Sequence, residues 1–253
     1  MDPSKPNKGS FQKIVEEIYC GLAPEVQREV NESYGLSEFE VATGTFSAHR
    51  ITAGSPPEQP QKETRLFQYA LTWPDAIRRF KIGKIYHDVS MSHVKKMYPP
   101  IGAMGEKWVY SNKKPSLFLT GTPGSGKTYF SIALLKGLID LNIYNWLIFI
   151  KSDDLDNELL KAVMEGNEAY VLEKYHDVPF LFIDDIGVER VNERIIKQYY
   201  SIIDRRLSNL LPTVFTSNLS VEQIATTLGD RIASRLAMTT EVAFPKTDLR
   251  KDF

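Results

Sequence analysis

The sequence predicts a mixed α/β fold with a parallel five-stranded sheet, preceded by a small helical domain. Five short apolar runs support the sheet, and they do not alternate with polar residues, as expected for strands buried on both faces. These runs span residues 116–120, 145–150, 179–184, 212–217 and 239–244. Segments with helical character, such as 127–140 and 193–209, separate the runs. Such alternation of strand and helix is typical of a three-layer α/β fold.

The chain divides into three predicted zones. Residues 1–52 form a helical amino-terminal domain, because apolar residues recur there at steps of three and four and share one helix face. These apolar residues are Phe11, Ile14, Val15, Ile18 and Leu22. Residues 53–76 are a linker, since the stretch 53–62 contains three prolines and no large apolar side chain. Residues 77–253 form the α/β domain that carries the apolar runs.

Length and composition exclude several classes of protein. The 253 residues can bury a sizeable core, and 42% hydrophobic with 25% charged residues is ordinary for a globular protein. Cys20 is the single cysteine, which excludes an intrachain disulfide and a cysteine-rich zinc module. The amino terminus lacks the order of a secretory signal, and no apolar run approaches the length of about 20 residues that a membrane helix needs. We therefore expect a cytoplasmic protein without a membrane partner.

Charge is nearly balanced over the whole chain. The formal net charge is -1, so any contact with nucleic acid requires a local basic surface. The most basic stretch runs from Arg78 to Lys114, with nine lysines and arginines against the two acids Asp88 and Glu106. This stretch is either an ordinary solvated surface or a face that contacts the phosphates of a nucleic acid or nucleotide.

A glycine-rich turn follows the first apolar run and precedes a predicted helix. It consists of Gly121, Thr122, Pro123, Gly124, Ser125, Gly126, Lys127 and Thr128, which matches the phosphate-binding pattern G-x-x-x-x-G-K-[ST]. Its glycines allow successive backbone N–H groups to converge on phosphate oxygens, and the helix amino terminus adds partial positive charge. The pattern predicts that this turn binds ATP, with Lys127 at the β- and γ-phosphates and Thr128 as a ligand of Mg²⁺.

Two further strands end in polar side chains that suit ATP hydrolysis. Asp184 and Asp185 close the third run, and we expect Asp184 to hold Mg²⁺ and Asp185 to be the general base for the attacking water. A turn-forming pair of aspartates is the structural alternative. Asn218 follows the fourth run and is predicted to orient the water or the γ-phosphate, with Thr216 as a second candidate. The alternative for Asn218 is a helix cap, which Ser220 also offers.

Two arginines follow that region on one face of a short predicted helix. Arg231 and Arg235 share this face because they are four residues apart. They suit either a surface salt-bridge pair or a charged site. An arginine that reaches the γ-phosphate of a neighbouring subunit would complete the site only in an assembled oligomer.

These motifs together resemble those of the AAA+ ATPases of the bacterial DnaC/DnaI helicase loaders and the IstB transposition helper. The resemblance covers residues 77–250 and depends on GTPGSGKT and on LFIDDIGVER…YYSIIDRRLSNLLPTVFTSNLSVEQIATTLGDRIASRL. It implies a P-loop AAA+ core without a helical lid. The implied roles are Walker A for residues 121–128, Walker B for Asp184 and Asp185, sensor 1 for Asn218, and arginine finger for Arg235 with Arg231 as its companion.

The resemblance also implies a function. Such ATPases load the replicative DNA helicase onto single-stranded DNA, and ATP hydrolysis is coupled to helicase release. The amino-terminal domain would bind the helicase, and subunits would self-associate through the arginine finger. Two helices, at 154–164 and 167–175, would line a DNA channel with Lys161 as a candidate contact. Two alternatives stay open: an ATPase helper of a transposase, or a nucleotide-gated DNA-binding module with little turnover, which aspartate instead of glutamate at position 185 favours.

Overall fold

Strands and helices alternate through most of the chain that the computed structural model describes, which is residues 71–141, 147–187 and 193–249. The helices are α1 (Trp73–Arg79), α2 (Met91–Met97), α3 (Pro99–Tyr110), α4 (Lys127–Asp140), α5 (Ser152–Glu165), α6 (Glu168–Asp177), α7 (Glu193–Ser208), α8 (Val221–Leu228) and α9 (Asp230–Leu236). The strands are β1 (Leu117–Thr120), β2 (Leu147–Lys151), β3 (Phe180–Asp184), β4 (Thr213–Ser217) and β5 (Thr240–Ala243).

The five strands form one parallel sheet in the order β2-β3-β4-β1-β5. In this order β4 lies between β3 and β1, although the three strands are far apart in sequence. The register places Phe182 beside Val214 and Phe118 beside Phe215. Because every strand runs in the same direction, the carboxyl ends of β1, β3 and β4 meet at one edge of the sheet, where open α/β folds bind their ligands.

Alternate strand residues contribute to two separate cores, one on each face of the sheet, since successive side chains of a strand point to opposite faces. The core on one face includes Trp108, Leu117, Leu119, Phe130, Leu134 and Phe182, all buried. The core on the other face includes Phe118, Leu155, Tyr199, Ile202, Ile183 and Phe215, all buried. Helices α1 to α4 cover the first core and α5 to α9 the second, so the fold has three layers.

This architecture confirms the predicted fold class. Each strand coincides with one of the five apolar runs, and its ends differ from those of the run by at most two residues. The two helices expected before β3 are observed as α5 and α6. Helix α1 begins at Trp73, inside the segment 53–76 predicted as linker, because Ala76 is buried in the core and Trp73 Nε1 donates to the carbonyl of His87 at 2.8 Å. The predicted helical domain at 1–52 lies outside the described residues. In the described part of the chain, no helix combines the length and hydropathy of a membrane span.

A buried arginine joins α7 to the chain that enters β3 and β4. Arg206 is 0% exposed, and its guanidinium donates only to neutral oxygens in the hydrogen bonds described. These acceptors are the carbonyls of Tyr175 (2.9 Å), His176 (3.3 Å), Val178 (2.7 Å) and Pro212 (3.0 Å) and the hydroxyl of Thr213 (2.8 Å). Three of them lie at the carboxyl end of α6, where the helix dipole stabilises a cation. Burial lowers the pKa of Arg206 to about 9, so the side chain is charged at neutral pH.

Arg206→Ala should lower the free energy of unfolding by about 3 kcal/mol, because several buried carbonyls lose their donor. Arg206→Lys should restore little, since an ammonium group cannot reproduce the planar set of donors. The matched control is Arg205→Ala, which removes an exposed arginine paired with Asp177 at 3.0 Å and should cost less than about 1 kcal/mol. Urea denaturation measures all three, and an unchanged midpoint for Arg206→Ala would contradict this role.

Candidate functional site

The predicted site residues of three strands lie at the carboxyl edge of the sheet. The turn at 121–128 connects β1 to α4, Asp184 is the last residue of β3, and Asn218 directly follows β4. Because β4 lies between β3 and β1, Asn218 is placed between the turn and the two aspartates. The sheet order therefore brings Lys127 and Asn218 into contact, although they are 91 positions apart in the sequence.

The turn, which we call the phosphate loop, has the backbone of an anion cradle. Gly121, Gly124 and Gly126 have φ angles of 149°, 80° and 94°, in the region that favours glycine. Gly126 is the N-cap of α4, and as a glycine it has no side chain with which to cap the helix. A glycine-rich turn that leads directly into a helix amino terminus is suited to bind phosphate groups.

Lys127 is held at the centre of the site. Its side chain is buried, and Nζ donates to the carbonyls of Gly121 at 2.8 Å and Thr122 at 2.9 Å. Nζ also donates to Oδ1 of Asn218 at 2.8 Å. The ammonium group is thus oriented by the loop on one side and by the end of β4 on the other.

Asp184 is buried and connects the phosphate loop to β4. Its Oδ1 accepts a hydrogen bond from Thr128 Oγ1 at 2.9 Å and one from Thr216 Oγ1 at 2.7 Å. Burial, and then the charge of Asp185, raise the pKa of Asp184 from 3.8 to about 6, while the two hydroxyls oppose this shift. Burial and the neighbouring acid disfavour the charged form of this carboxylate, and a nearby cation would stabilise that charged form.

Asp185 has an unusual backbone conformation. Its φ angle is 60°, in the left-handed region that non-glycine residues rarely adopt. Its N–H donates to Thr216 Oγ1 at 2.8 Å, and its carbonyl accepts from Ser152 Oγ at 2.8 Å. Its carboxylate accepts a long hydrogen bond of 3.5 Å from Asn218 Nδ2. Ser152 belongs to no recognisable sequence motif.

The contacts of Asn218 and Thr216 distinguish their alternative roles. Ser220 is the N-cap of α8 and forms a capping box with Gln223, so Asn218 is not the cap. Asn218 instead contacts both Lys127 and Asp185. Thr216 is 0% exposed, and its hydroxyl is hydrogen-bonded to the Asp184 carboxylate and to the Asp185 N–H, so this hydroxyl faces the aspartates and not the ligand. Asn218 therefore has the better position of the two for contact with a phosphate or a water molecule.

The two arginines lie on α9, where they contact α7. Arg231 is exposed, and its guanidinium lies 4.0 Å from the ring centroid of Tyr200. Arg235 forms an ion pair with Asp204, with 2.7 Å between Nε and Oδ1. The structure thus places both arginines on one surface of the chain, and their role toward a neighbouring subunit stays a prediction.

The residues predicted to contact DNA are exposed. Lys161 on α5 pairs with Glu165 at 3.6 Å, and its side chain is 72% exposed, as for an ordinary solvated lysine. In the basic stretch before β1, Lys95 pairs with Glu106 at 2.6 Å and Arg78 pairs with Asp75. These observations leave the DNA contacts as predictions.

A carboxy-terminal segment, residues 244–249, lies against the phosphate loop. The Leu249 N–H donates to the carbonyl of Gly124 at 3.0 Å. A methyl group added at Gly124 would lie 2.0 Å from Asp248 Oδ1, and one added at Gly121 would lie 2.9 Å from Phe244 Cβ. The loop therefore needs glycine at these positions for this contact as well as for its φ angles. No motif in the sequence points to this segment.

Comparison with known proteins identifies the family. The family model described as IstB-like ATP binding protein matches residues 104–240, more than half of the chain. The chain belongs to this family. The matched region contains the phosphate loop, both aspartates, Asn218 and both arginines, and it confirms the resemblance drawn from the sequence.

Individual relatives come from replication and from a mobile element. The chain is 32% identical over 136 residues to "Replicative helicase loader DnaC" of Buchnera aphidicola subsp. Baizongia pistaciae (strain Bp), covering 51% of this chain and 53% of the relative. It is 27% identical over 123 residues to a protein of insertion sequence IS5376 from Geobacillus stearothermophilus, covering 49% and 48% of the two chains. The chain thus spans about half the length of the curated relatives it matches.

A solved structure supports the fold assignment. The crystal structure of the DnaC helicase loader aligns with a TM-score of 0.57 at 22% identity, covering 64% of this chain and 100% of that chain. At this level of identity the likeness shows the fold alone. That fold is the P-loop AAA+ core with the five-stranded parallel sheet described above.

Proposed function

We propose that this protein is an ATPase that loads a replicative DNA helicase onto single-stranded DNA and couples ATP hydrolysis to helicase release. The observation that carries the ATPase part is the set of hydrogen bonds joining Lys127 to Asn218, Asn218 to Asp185, and Thr128 to Asp184. These contacts assemble a phosphate-binding cation, two acids and an amide at one edge of the sheet. The family description, IstB-like ATP binding protein, supports ATP as the ligand.

The residues present fit a nucleoside triphosphate with Mg²⁺. The glycine backbone of the phosphate loop and the start of α4 suit the phosphates, and the Lys127 ammonium would neutralise the β- and γ-phosphate oxygens. Thr128 and Asp184 offer a hydroxyl and a carboxylate oxygen, which are the donors that Mg²⁺ prefers. Among the described residues no cluster of three or more His, Cys, Asp or Glu could hold a metal alone, so phosphate oxygens and water would complete the coordination.

Each polar group has a role in the proposed hydrolysis. Bound Mg²⁺ supplies Lewis-acid stabilisation of the charge on the phosphate oxygens. Asp185 accepts the proton of the attacking water, since its carboxylate lies beside Asn218 at the open end of the strand. Asn218 orients that water through the same amide group that contacts Asp185. Lys127 stabilises the charge that develops during transfer.

Lys127→Ala should reduce steady-state ATP hydrolysis by about 100-fold or more, because it removes the cation that stabilises the phosphates. The matched control is Lys136→Ala, which removes a lysine of the same helix that pairs with Asp140 at 2.5 Å. The assay measures phosphate release with and without single-stranded DNA. An unchanged rate in Lys127→Ala would refute the site, and a wild-type protein that binds ATP tightly without turnover would support the nucleotide-gated module instead.

Helicase loading is the preferred biological role because one relative carries that name, "Replicative helicase loader DnaC". The second candidate, an ATPase that assists a transposase, is favoured by the IstB-like family and by the relative from IS5376. Both roles use the same ATP site, so the partner must distinguish them. We assign partner binding to the predicted amino-terminal domain, residues 1–52.

The full chain should retain a hexameric replicative helicase in a pull-down with ATP, and deletion of residues 1–52 should abolish retention while ATP binding persists. The assay is repeated with ADP and without nucleotide, and with the transposase of insertion sequence IS5376 as the competing partner. Retention of the transposase and not of the helicase would reverse the order of the two roles.

The proposed oligomer places an arginine of one subunit at the ATP site of the next. Arg235 forms an ion pair with Asp204, whereas Arg231 is exposed and lies over the Tyr200 ring. The two arginines would therefore break different contacts in order to act as the arginine finger. Arg235 would have to exchange its carboxylate for a phosphate, and Arg231 would only have to leave an aromatic ring.

Mixing two inactive variants tests this arrangement. Arg235→Ala has an intact phosphate loop and Lys127→Ala has intact arginines, so a mixed oligomer contains some complete sites and should regain part of the wild-type turnover. Arg231→Ala mixed with Lys127→Ala serves as the matched comparison and shows which arginine is the finger. Absence of any recovery in both mixtures, with oligomers formed, would exclude an arginine supplied between subunits.

A further inference from the structure

One threonine hydroxyl joins the two aspartates of the site. Thr216 lies on β4 and is 0% exposed. Its Oγ1 donates to Asp184 Oδ1 at 2.7 Å and accepts from the Asp185 N–H at 2.8 Å. A hydroxyl has one proton to donate and lone pairs to accept, so both bonds can exist at once.

The conformation of Asp185 requires such support. A left-handed φ at a non-glycine residue is unfavourable and persists only where the surroundings hold it. Here β4 holds the chain on both sides of Asp185. The Thr216 hydroxyl binds its N–H, and the Thr216 carbonyl accepts from the N–H of Ile186 at 2.9 Å. Ser217 Oγ then donates to the carbonyl of Ile186 at 2.6 Å.

The turn at Asp185 changes where its carboxylate points. In an extended strand, two consecutive side chains point to opposite faces of the sheet. The left-handed residue ends this alternation, and the Asp185 carboxylate comes within 3.5 Å of Asn218 Nδ2. Asp184 meanwhile bonds Thr128 of the phosphate loop. Both acids are thus directed to the same end of the sheet.

We propose that Thr216 is the positioning residue of this site: its hydroxyl fixes Asp184 toward Thr128 and holds Asp185 in the left-handed turn that directs its carboxylate to Asn218. The residue acts through the two acids and does not touch the nucleotide, since its side chain is buried and both of its hydrogen bonds go to them. The inference rests on the proposed ATPase function.

Thr216→Val and Thr216→Ser separate the hydroxyl from the shape of the side chain. Thr216→Val should lower kcat for ATP hydrolysis by about 100-fold, because the geometry of the two acids is lost. KM for Mg²⁺-ATP should rise by about tenfold, because Asp184 is no longer oriented toward the metal. Thr216→Ser keeps the hydroxyl and should recover most of kcat. A second readout needs no turnover: the affinity for a fluorescent ATP analogue is measured with Mg²⁺ and with EDTA. The ratio of the two affinities, which we call the Mg²⁺ gain, should fall by about tenfold in Thr216→Val, as for other residues that orient a metal ligand.

The matched control is Thr213→Val, which removes another buried hydroxyl of β4. Thr213 is the first residue of β4, at the end away from the acids, and it forms hydrogen bonds with Arg206 and the carbonyl of Leu211. This variant should lose stability in a thermal melt but keep kcat and the Mg²⁺ gain. Unchanged kcat and Mg²⁺ gain in folded Thr216→Val would overturn the inference, and so would an equal loss in both valine variants. A wild-type protein without turnover would count against the ATPase proposal alone, and the Mg²⁺ gain would then decide the role of Thr216.

Discussion

The site depends on hydrogen bonds that cross three adjacent strands. Thr128, at the start of the helix after β1, donates to Asp184 of β3, and Asp184 also accepts from Thr216 of β4. These bonds are possible only because the sheet order places β4 between β1 and β3 in a parallel arrangement. The order of strands is therefore the constraint from which the geometry of the acids, the lysine and the asparagine follows.

Charged groups inside the domain are stabilised by different partners. Lys127 is surrounded by carbonyl and amide oxygens, whereas Asp184 has two hydroxyl donors and a neighbouring acid that raises its pKa. Arg206, beside the carboxyl end of α6, donates to backbone carbonyls. The first two charges lie where a ligand of opposite charge can enter. The third is enclosed, which is why we assign it to stability and the others to the site.

Sequence reasoning recovers those features of the fold that local patterns encode. Strands β1, β3 and β4 are buried along their whole length, as the sequence predicts, but β5 lies at the sheet edge and exposes Thr240, Glu241 and Ala243. Helices α4 and α8 begin where the glycine turn and the Ser220 cap predict. The left-handed Asp185 and its bond to Thr216 could not be predicted, because those two residues are 31 positions apart and only the strand order joins them. The same limit applies to Ser152, which reaches the Asp185 carbonyl from the start of α5. Motifs identify which residue types are present, and tertiary contacts decide how they are oriented.

The contact between Leu249 and Gly124 has a practical consequence for work on this protein. Residues 244–249 are therefore a wall of the loop that is proposed to receive the phosphates. A fluorescent label attached to a side chain of this segment would report on the loop itself, and it would also alter the surface that the loop packs against.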